Sequence, residues 1–392
     1  MNQHTDSFIP FARPSLGDEE ERAVLRVMRS GWLTTGAETG AFETEFAAYV
    51  GSPHALAVNS ATAGLHLALE AAGVTAGSLV ATTPYTFTAT AEIIRYLGAH
   101  PLFVDIERGS GNISPDTLER AFKQHGKKIS AVIVVHLGGH PCEMERIIAI
   151  ARNYGTPVIE DAAHAFPAWV NGRMAGTIGA VGVYSFYATK TITTGEGGMA
   201  VTSNPELARR MKVMRLHGID RDVWDRYTSR RASWHYQVVD AGFKYNMPDI
   251  LAAIGRVQLG RAPSFLEERR RVARTYRNLL EECDFLTLPS EHPGHSWHLF
   301  MVALRPEKLT VSRDQFVDEM SRRGVGTSVH YIPLHVMPYY RTLYGFTEDS
   351  FPVSWDKYQH SFSLPIYPDL TREQTERVAE SVREIGRAFH RG

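Results

Sequence analysis

The sequence predicts an α/β protein. A large domain built on a mostly parallel sheet spans residues 15–250, a smaller α+β domain spans 251–392, and segment 1–14 packs nearby. Three observations carry this reading. The first 250 residues alternate short apolar runs with helical patterns, the runs are apolar at successive positions, and the pattern changes after Pro248. Strands apolar on both faces and separated by helices belong to a parallel sheet covered on both sides.

The apolar runs at 55–58, 79–82, 102–105, 131–135, 157–161, 181–186 and 199–202 read as strands. Helical patterns at 65–72 and 89–97 alternate with the first of them. Past Pro248 a helix runs towards Arg261, and after Pro263 a second continues towards Glu282, because an interior proline ends or kinks a helix. The remainder reads as strands at 298–304 and 327–331 and helices at 313–323 and 372–389.

Composition narrows the function classes. The 392 residues carry a net charge of -1, which argues against nucleic acid or an anionic membrane as partner. No apolar run reaches the roughly 18 residues of a membrane span. Met1 to Asp6 lack the basic-then-apolar pattern of a signal peptide. Cys142 and Cys283 have no metal or redox spacing, which fits a reducing cytoplasm. His330 and His335 stand five residues apart without an acidic companion, so no metal site is expected.

Ligands of open α/β sheets bind beyond the carboxyl ends of the strands, and the unusual polar residues gather there. Lys190 follows the strand at 181–186, among small and hydroxyl residues. A lysine sunk in such a cleft can lose its proton and bond to an aldehyde, whereas the alternative is a surface lysine in a glycine loop. Asp161 ends an apolar strand and is followed by Ala162 and Ala163, so it can face a cleft or cap a helix. The run Asn59 to Gly64 offers backbone N–H groups at a helix start, suited to a phosphate or to an ordinary cap. Phe87 can cover a ring face or fill the core.

Taken in order, phosphate loop, stacking aromatic, carboxylate and lysine form one constellation. With it the chain resembles the DegT/DnrJ/EryC1/StrS sugar aminotransferases, which share the aspartate aminotransferase-like, type I fold. The resemblance runs through Phe11 to Pro14, Ser30 to Gly36, Glu160 to Ala165, Lys190 to Gly198, Gly242 to Met247 and His330 to His335. Asn59 to Leu67, Glu160 to Ala165 and Phe243 to Met247 look especially like the UDP-4-amino-4-deoxy-L-arabinose synthases.

That resemblance implies pyridoxal 5′-phosphate (PLP) bound covalently to Lys190, which also moves the proton. It places Asp161 at the ring nitrogen, His164, where many relatives have Gln, near the ring hydroxyl, and Ala61, Thr62 and Ser185 at the phosphate. It implies a homodimer whose second subunit reaches the phosphate from the segment of Lys244 and Asn246. Many members read Asn-Tyr-Arg there, where this chain has Lys-Tyr-Asn. Thr35, His330 and Tyr331 match positions bordering the sugar; a helix cap for Thr35 and a core histidine for His330 are the alternatives.

The implied reaction takes the amino group of L-glutamate to a keto group, C4 by family likeness, of a nucleotide-linked sugar, UDP by the same likeness. A sugar 3-dehydratase of the same fold carries His where this chain has Lys190, and a regulatory relative would need a helix-turn-helix or a basic surface. Two further motifs are set aside. Gly195 to Ala200 fits a loose dinucleotide pattern but precedes a strand. The basic run 269–274 has acidic neighbours at helical spacing, as a solvated helix face does.

Overall fold

A computed structural model describes residues 8–220 and 236–392. Residues 1–7, the start of the amino-terminal segment, lie outside it. Seven strands form the main sheet: β1 (His54–Val58), β2 (Leu79–Thr82), β3 (His100–Phe103), β4 (Ile129–Val135), β5 (Val158–Asp161), β8 (Val181–Ser185) and β9 (Gly198–Thr202). A small hairpin of β6 (Trp169–Val170) and β7 (Arg173–Met174) lies between β5 and β8 in the chain. The order in the main sheet is β1-β9-β8-β5-β4-β2-β3, and β9 alone runs antiparallel to its neighbours. Strands β4, β5 and β8 pair in parallel through residues that are almost all buried, which is why their sequence is a run and not an alternation.

Apolar cores fill the space on the sheet's two sides. One gathers Val132, Val134 and Phe186 with Phe42 and Phe46 of helix Ala37–Val50. The other gathers Ile133, Ile159 and Val183 with Leu65 and Leu69 of helix Ala61–Ala71. That helix lies close on the sheet because Gly64 and Gly198 lack side chains. A Cβ on Gly64 would stand 2.7 Å from Val183 Cγ1, and one on Gly198 would stand 2.7 Å from the Ala61 nitrogen.

A second sheet of three antiparallel strands, β10 (Leu286–Thr287), β11 (Phe300–Leu304) and β12 (Ser361–Leu364), carries its own core. Helices Arg313–Arg322 and Arg372–Ala388 pack on it, and Ile9 joins the same core. Two expectations differ from what forms. The two helices expected on either side of Pro263 are one, Asp249–Leu280, of 32 residues. Its early turns pack on helices Asp18–Ser30 and Ala37–Val50 and its later turns on Arg372–Ala388, and that packing outweighs the ~3 kcal/mol cost of an interior proline. The strand expected at 327–331 is a single bridge between Ser328 and Ser363. Beyond it His330 and Tyr331 turn their side chains to Ser363 and His164, so the pairing stops.

Candidate active site

One cleft of about 580 Å³ lies at the carboxyl ends of β4, β5 and β8 and the start of helix Ala61–Ala71. Asp161 enters it from the last position of β5, and Lys190 from the loop after β8. Ala61, Thr62, Phe87, His164, Ser185, His330 and Tyr331 line it as well. A second cleft of similar size, bordered by Arg108, His140 and Lys357, contains neither Lys190 nor Asp161.

Asp161 is buried and does not cap a helix. Its carboxylate accepts the Thr90 hydroxyl at 2.8 Å and the Ala163 N–H at 3.2 Å. Burial raises its pKa, while Thr90, Ala163 and the charge of Lys190 oppose that rise. Burial likewise brings the Lys190 amine down to about 8, opposed by Asp161 and assisted by the buried cation Arg269. The alternative of a freely solvated surface lysine does not fit that environment.

Helix Ala61–Ala71 starts with Ser60, whose hydroxyl accepts the Ala63 N–H. The N–H groups of Ala61 and Thr62 have no partner within the helix, and the positive end of its dipole faces the cleft. Phe87 is 57% exposed, so it is a wall of the cleft and not a core residue. Its ring stands 6.0 Å from that of Tyr331. His330 shares a hydrogen bond with the Ser363 hydroxyl at 2.9 Å, and burial lowers its pKa to about 4.

The chain does not bring Thr35, Lys244 or Asn246 into this cleft. The Thr35 hydroxyl donates to the Met247 carbonyl at 2.6 Å and accepts the Asn246 amide at 2.6 Å. Lys244 donates to Asn246 at 2.7 Å. These three form a separate cluster, and Thr35 and Asn246 line another hollow with Arg215. Four residues that sequence reasoning missed act on the cleft: Thr90 through Asp161, Gly138 and His298 through His164, and Arg269 through Lys190. Nothing local in the sequence marks them, since each reaches its partner across the fold.

The donor set suits a phosphorylated pyridine aldehyde: an amine of lowered pKa, a buried carboxylate, and N–H groups that the helix leaves unpaired, beside a hollow that a Cβ on Gly198 would disturb. Fold and site together define a PLP-dependent aminotransferase. A family model, the DegT/DnrJ/EryC1/StrS aminotransferase family, matches residues 14–383. The chain belongs to that family. It is similar to the spore coat polysaccharide biosynthesis protein SpsC of Bacillus subtilis, 42% identical over 98% of this chain and 99% of the relative. Among solved structures, Spr1654 of Streptococcus pneumoniae in its PMP form has a TM-score of 0.90 at 28% identity, covering 97% of this chain and 99% of its own, and it is also known with PLP. PseC of Helicobacter pylori, an aminotransferase in pseudoaminic acid biosynthesis, has a TM-score of 0.89 at 28% identity, covering 98% and 100%. Among the described residues no helix is long and apolar enough to cross a membrane.

Proposed function

We propose that the protein transfers the amino group of L-glutamate to the C4 keto group of a UDP-linked sugar, in two half-reactions at one site. The observation that carries this reading is the pairing in one cleft of the desolvated Lys190 amine with the buried Asp161 carboxylate. The names of SpsC and PseC support a sugar as acceptor. The nucleotide, the carbon and the donor rest on the likeness to the arabinose synthases. We further propose a cytoplasmic homodimer in which the Lys244–Asn246 cluster of one subunit completes the phosphate site of the other. Two free cysteines suit a reducing compartment.

When bound, PLP supplies an aldehyde for the incoming amine and a ring that takes up the electron pair left on the reacting carbon. Lys190 carries the proton. With a pKa of about 8 its amine is substantially uncharged near that pH, so it can take the proton from the donor's α-carbon and deliver it across the shared nitrogen to the carbon of the cofactor's former aldehyde. Asp161, steadied by Thr90, holds the proton on the ring nitrogen. The N–H groups of Ala61 and Thr62 and the Ser185 hydroxyl hold the phosphate. Phe87, His330 and Tyr331 border the space for the sugar. The same groups run the second half-reaction in reverse, which predicts ping-pong kinetics.

The test is a panel of nucleotide-linked keto sugars given to the PLP-loaded protein with L-glutamate. The expected products are 2-oxoglutarate and an amino sugar, fastest with the UDP-linked 4-keto sugar, and neither with Lys190→Ala. A PLP-loaded protein that aminates no member of the panel overturns the proposal.

A further inference from the structure

The second cleft, of about 580 Å³, shares no lining residue with the one that holds Lys190. One turn, Leu137–Gly139, parts the two: Leu137 and Gly138 line the second cleft, and the Gly138 N–H points to His164 in the first. The cleft lies where the loop after β3, strand β11 and helix Pro352–His360 meet, so elements around both sheets build it. Such joints are where ligand pockets concentrate, and this volume is ordinary for one.

Its floor is apolar and its wall cationic. Leu137, Leu299 and Leu304 are buried, with Met301 half-buried beside them. Lys357 reaches in from the helix, and its stem packs so closely on Gly111 that a Cβ there would stand 2.8 Å from Cε. The ammonium donates to the carbonyls of Arg108 at 3.0 Å and Gly109 at 3.3 Å. Among the described residues no carboxylate pairs with it. Asp356 is engaged by Arg108, with His360 Nδ1 3.4 Å away. Arg305 donates to the Thr287 hydroxyl at 3.3 Å and likewise pairs with no carboxylate among the described residues. Of the lining acids only Glu307 remains to set against Lys357 and Arg305. Burial and the charge of Arg108 hold the Lys357 pKa at about 8, with Asp356 opposing. A desolvated cation without a counter-charge is unfavourable, and an anion beside it relieves that. With its stem packed and two carbonyls holding it, the ammonium is already in place for one.

We infer that this cleft binds an organic phosphate, with a planar or apolar body on Leu137, Leu299 and Met301 and its phosphate on Lys357 and Arg305. A nucleotide has both parts, and so has a phosphorylated aromatic metabolite. Phosphate suits the two cations better than a carboxylate does, because three terminal oxygens and a larger charge can take donors from both at once. The site shares no side chain with the amino transfer, so binding there is measured independently of that reaction.

The experiment is isothermal titration of the full-length, PLP-loaded protein with adenosine diphosphate, phenyl phosphate and inorganic phosphate. Wild type, Lys357→Met and Arg305→Gln are compared, each with its thermal unfolding curve. Wild type is expected to bind at least one organic probe roughly tenfold or more tighter than inorganic phosphate, the worth of covering a few carbon atoms of floor. Lys357→Met keeps the stem, removes the charge, and is expected to weaken that probe roughly ten- to a hundredfold. Arg305→Gln, at an exposed position, is expected to weaken it about two- to fivefold. The tighter of the two organic probes tells whether a nucleotide or another phosphorylated metabolite is the better occupant. The inference is overturned if wild type binds none of the probes, if inorganic phosphate binds as tightly as the organic ones, or if Lys357→Met leaves organic binding unchanged. Should Lys357→Met fail to fold, unchanged binding by Arg305→Gln overturns it instead.

Discussion

Thr90 donates its hydroxyl hydrogen to Asp161 at 2.8 Å, and with that proton engaged, Thr86 donates to Thr90, also at 2.8 Å. Two hydroxyls thus point in series at a carboxylate whose burial alone would favour its neutral form. The chain Thr86–Thr90–Asp161 keeps the negative charge in place for a cationic ring nitrogen.

Thr90→Val preserves shape and removes that donor. The Asp161 pKa then rises further, and the apoprotein is expected to bind PLP roughly ten- to a hundredfold more weakly, the worth of one hydrogen bond to a charged group. Equilibrium binding followed by absorbance measures it. Affinity equal to wild type would remove Thr90 from the site.

The Lys190 amine, at about 8, sets a pH dependence whose sign is fixed by chemistry. Only the uncharged amine attacks an aldehyde, so capture of PLP by the apoprotein is expected to speed up about tenfold per pH unit below 8 and to level off above it. Stopped-flow absorbance reads the rate. A rise that continues past pH 10 is the behaviour of an ordinary lysine and contradicts the desolvated cleft.

What the sequence disclosed and what it withheld follow from the range of the interactions. Asp161 and Lys190 were legible because each sits at the end of a buried apolar run, and such runs mark parallel strands whose carboxyl ends hold ligands. Ser60 and its helix were legible because a cap is local. Thr90 was not, since its partner lies 71 residues on and only the neighbouring of β2 and β5 across β4 joins them. Pro263 misled because the local penalty is read from one residue while the compensation comes from three distant helices. Thr35 matched the family pattern, yet its hydroxyl is taken up by Met247 and Asn246.

Gly198→Ala tests the phosphate cradle. The added Cβ would stand 2.7 Å from the Ala61 nitrogen, 2.8 Å from the Ser60 carbonyl carbon and 2.9 Å from the Tyr184 oxygen, all backbone atoms that cannot swing aside. The helix start must move, at about 1–3 kcal/mol in stability. PLP affinity is expected to fall at least tenfold, on the order of one lost phosphate contact. Gly40→Ala, where nothing lies within 4 Å, is the control and should leave affinity unchanged. Equal affinities for the two variants would show that the cradle is not formed there.

Glu160, the residue before Asp161, supplies the last prediction. Its buried carboxylate accepts four N–H groups: His136 Nε2 at 3.0 Å, Gly176 at 2.7 Å, and Ile178 and Gly179 at 2.6 Å each. The Cys142 N–H points to His136 Nδ1 at 3.0 Å, which turns Nε2 and its proton towards Glu160. Burial raises the Glu160 pKa, but these donors outweigh it and the net shift is downward. Its stabilisation is therefore full above the ordinary glutamate pKa, about 4.3, and is lost as pH falls through the lowered value. Glu160→Gln sets an amide NH₂ against N–H groups and strands two of them, so a loss of about 3–5 kcal/mol is expected at neutral pH. The difference between variant and wild type should shrink on acidification below pH ~4, where the wild-type carboxylate also takes a proton. Urea unfolding from pH 3 to 8 checks both the size and the sign. A loss that does not change with pH would mean that packing, and not the charge, anchors the end of β5 from which Asp161 projects.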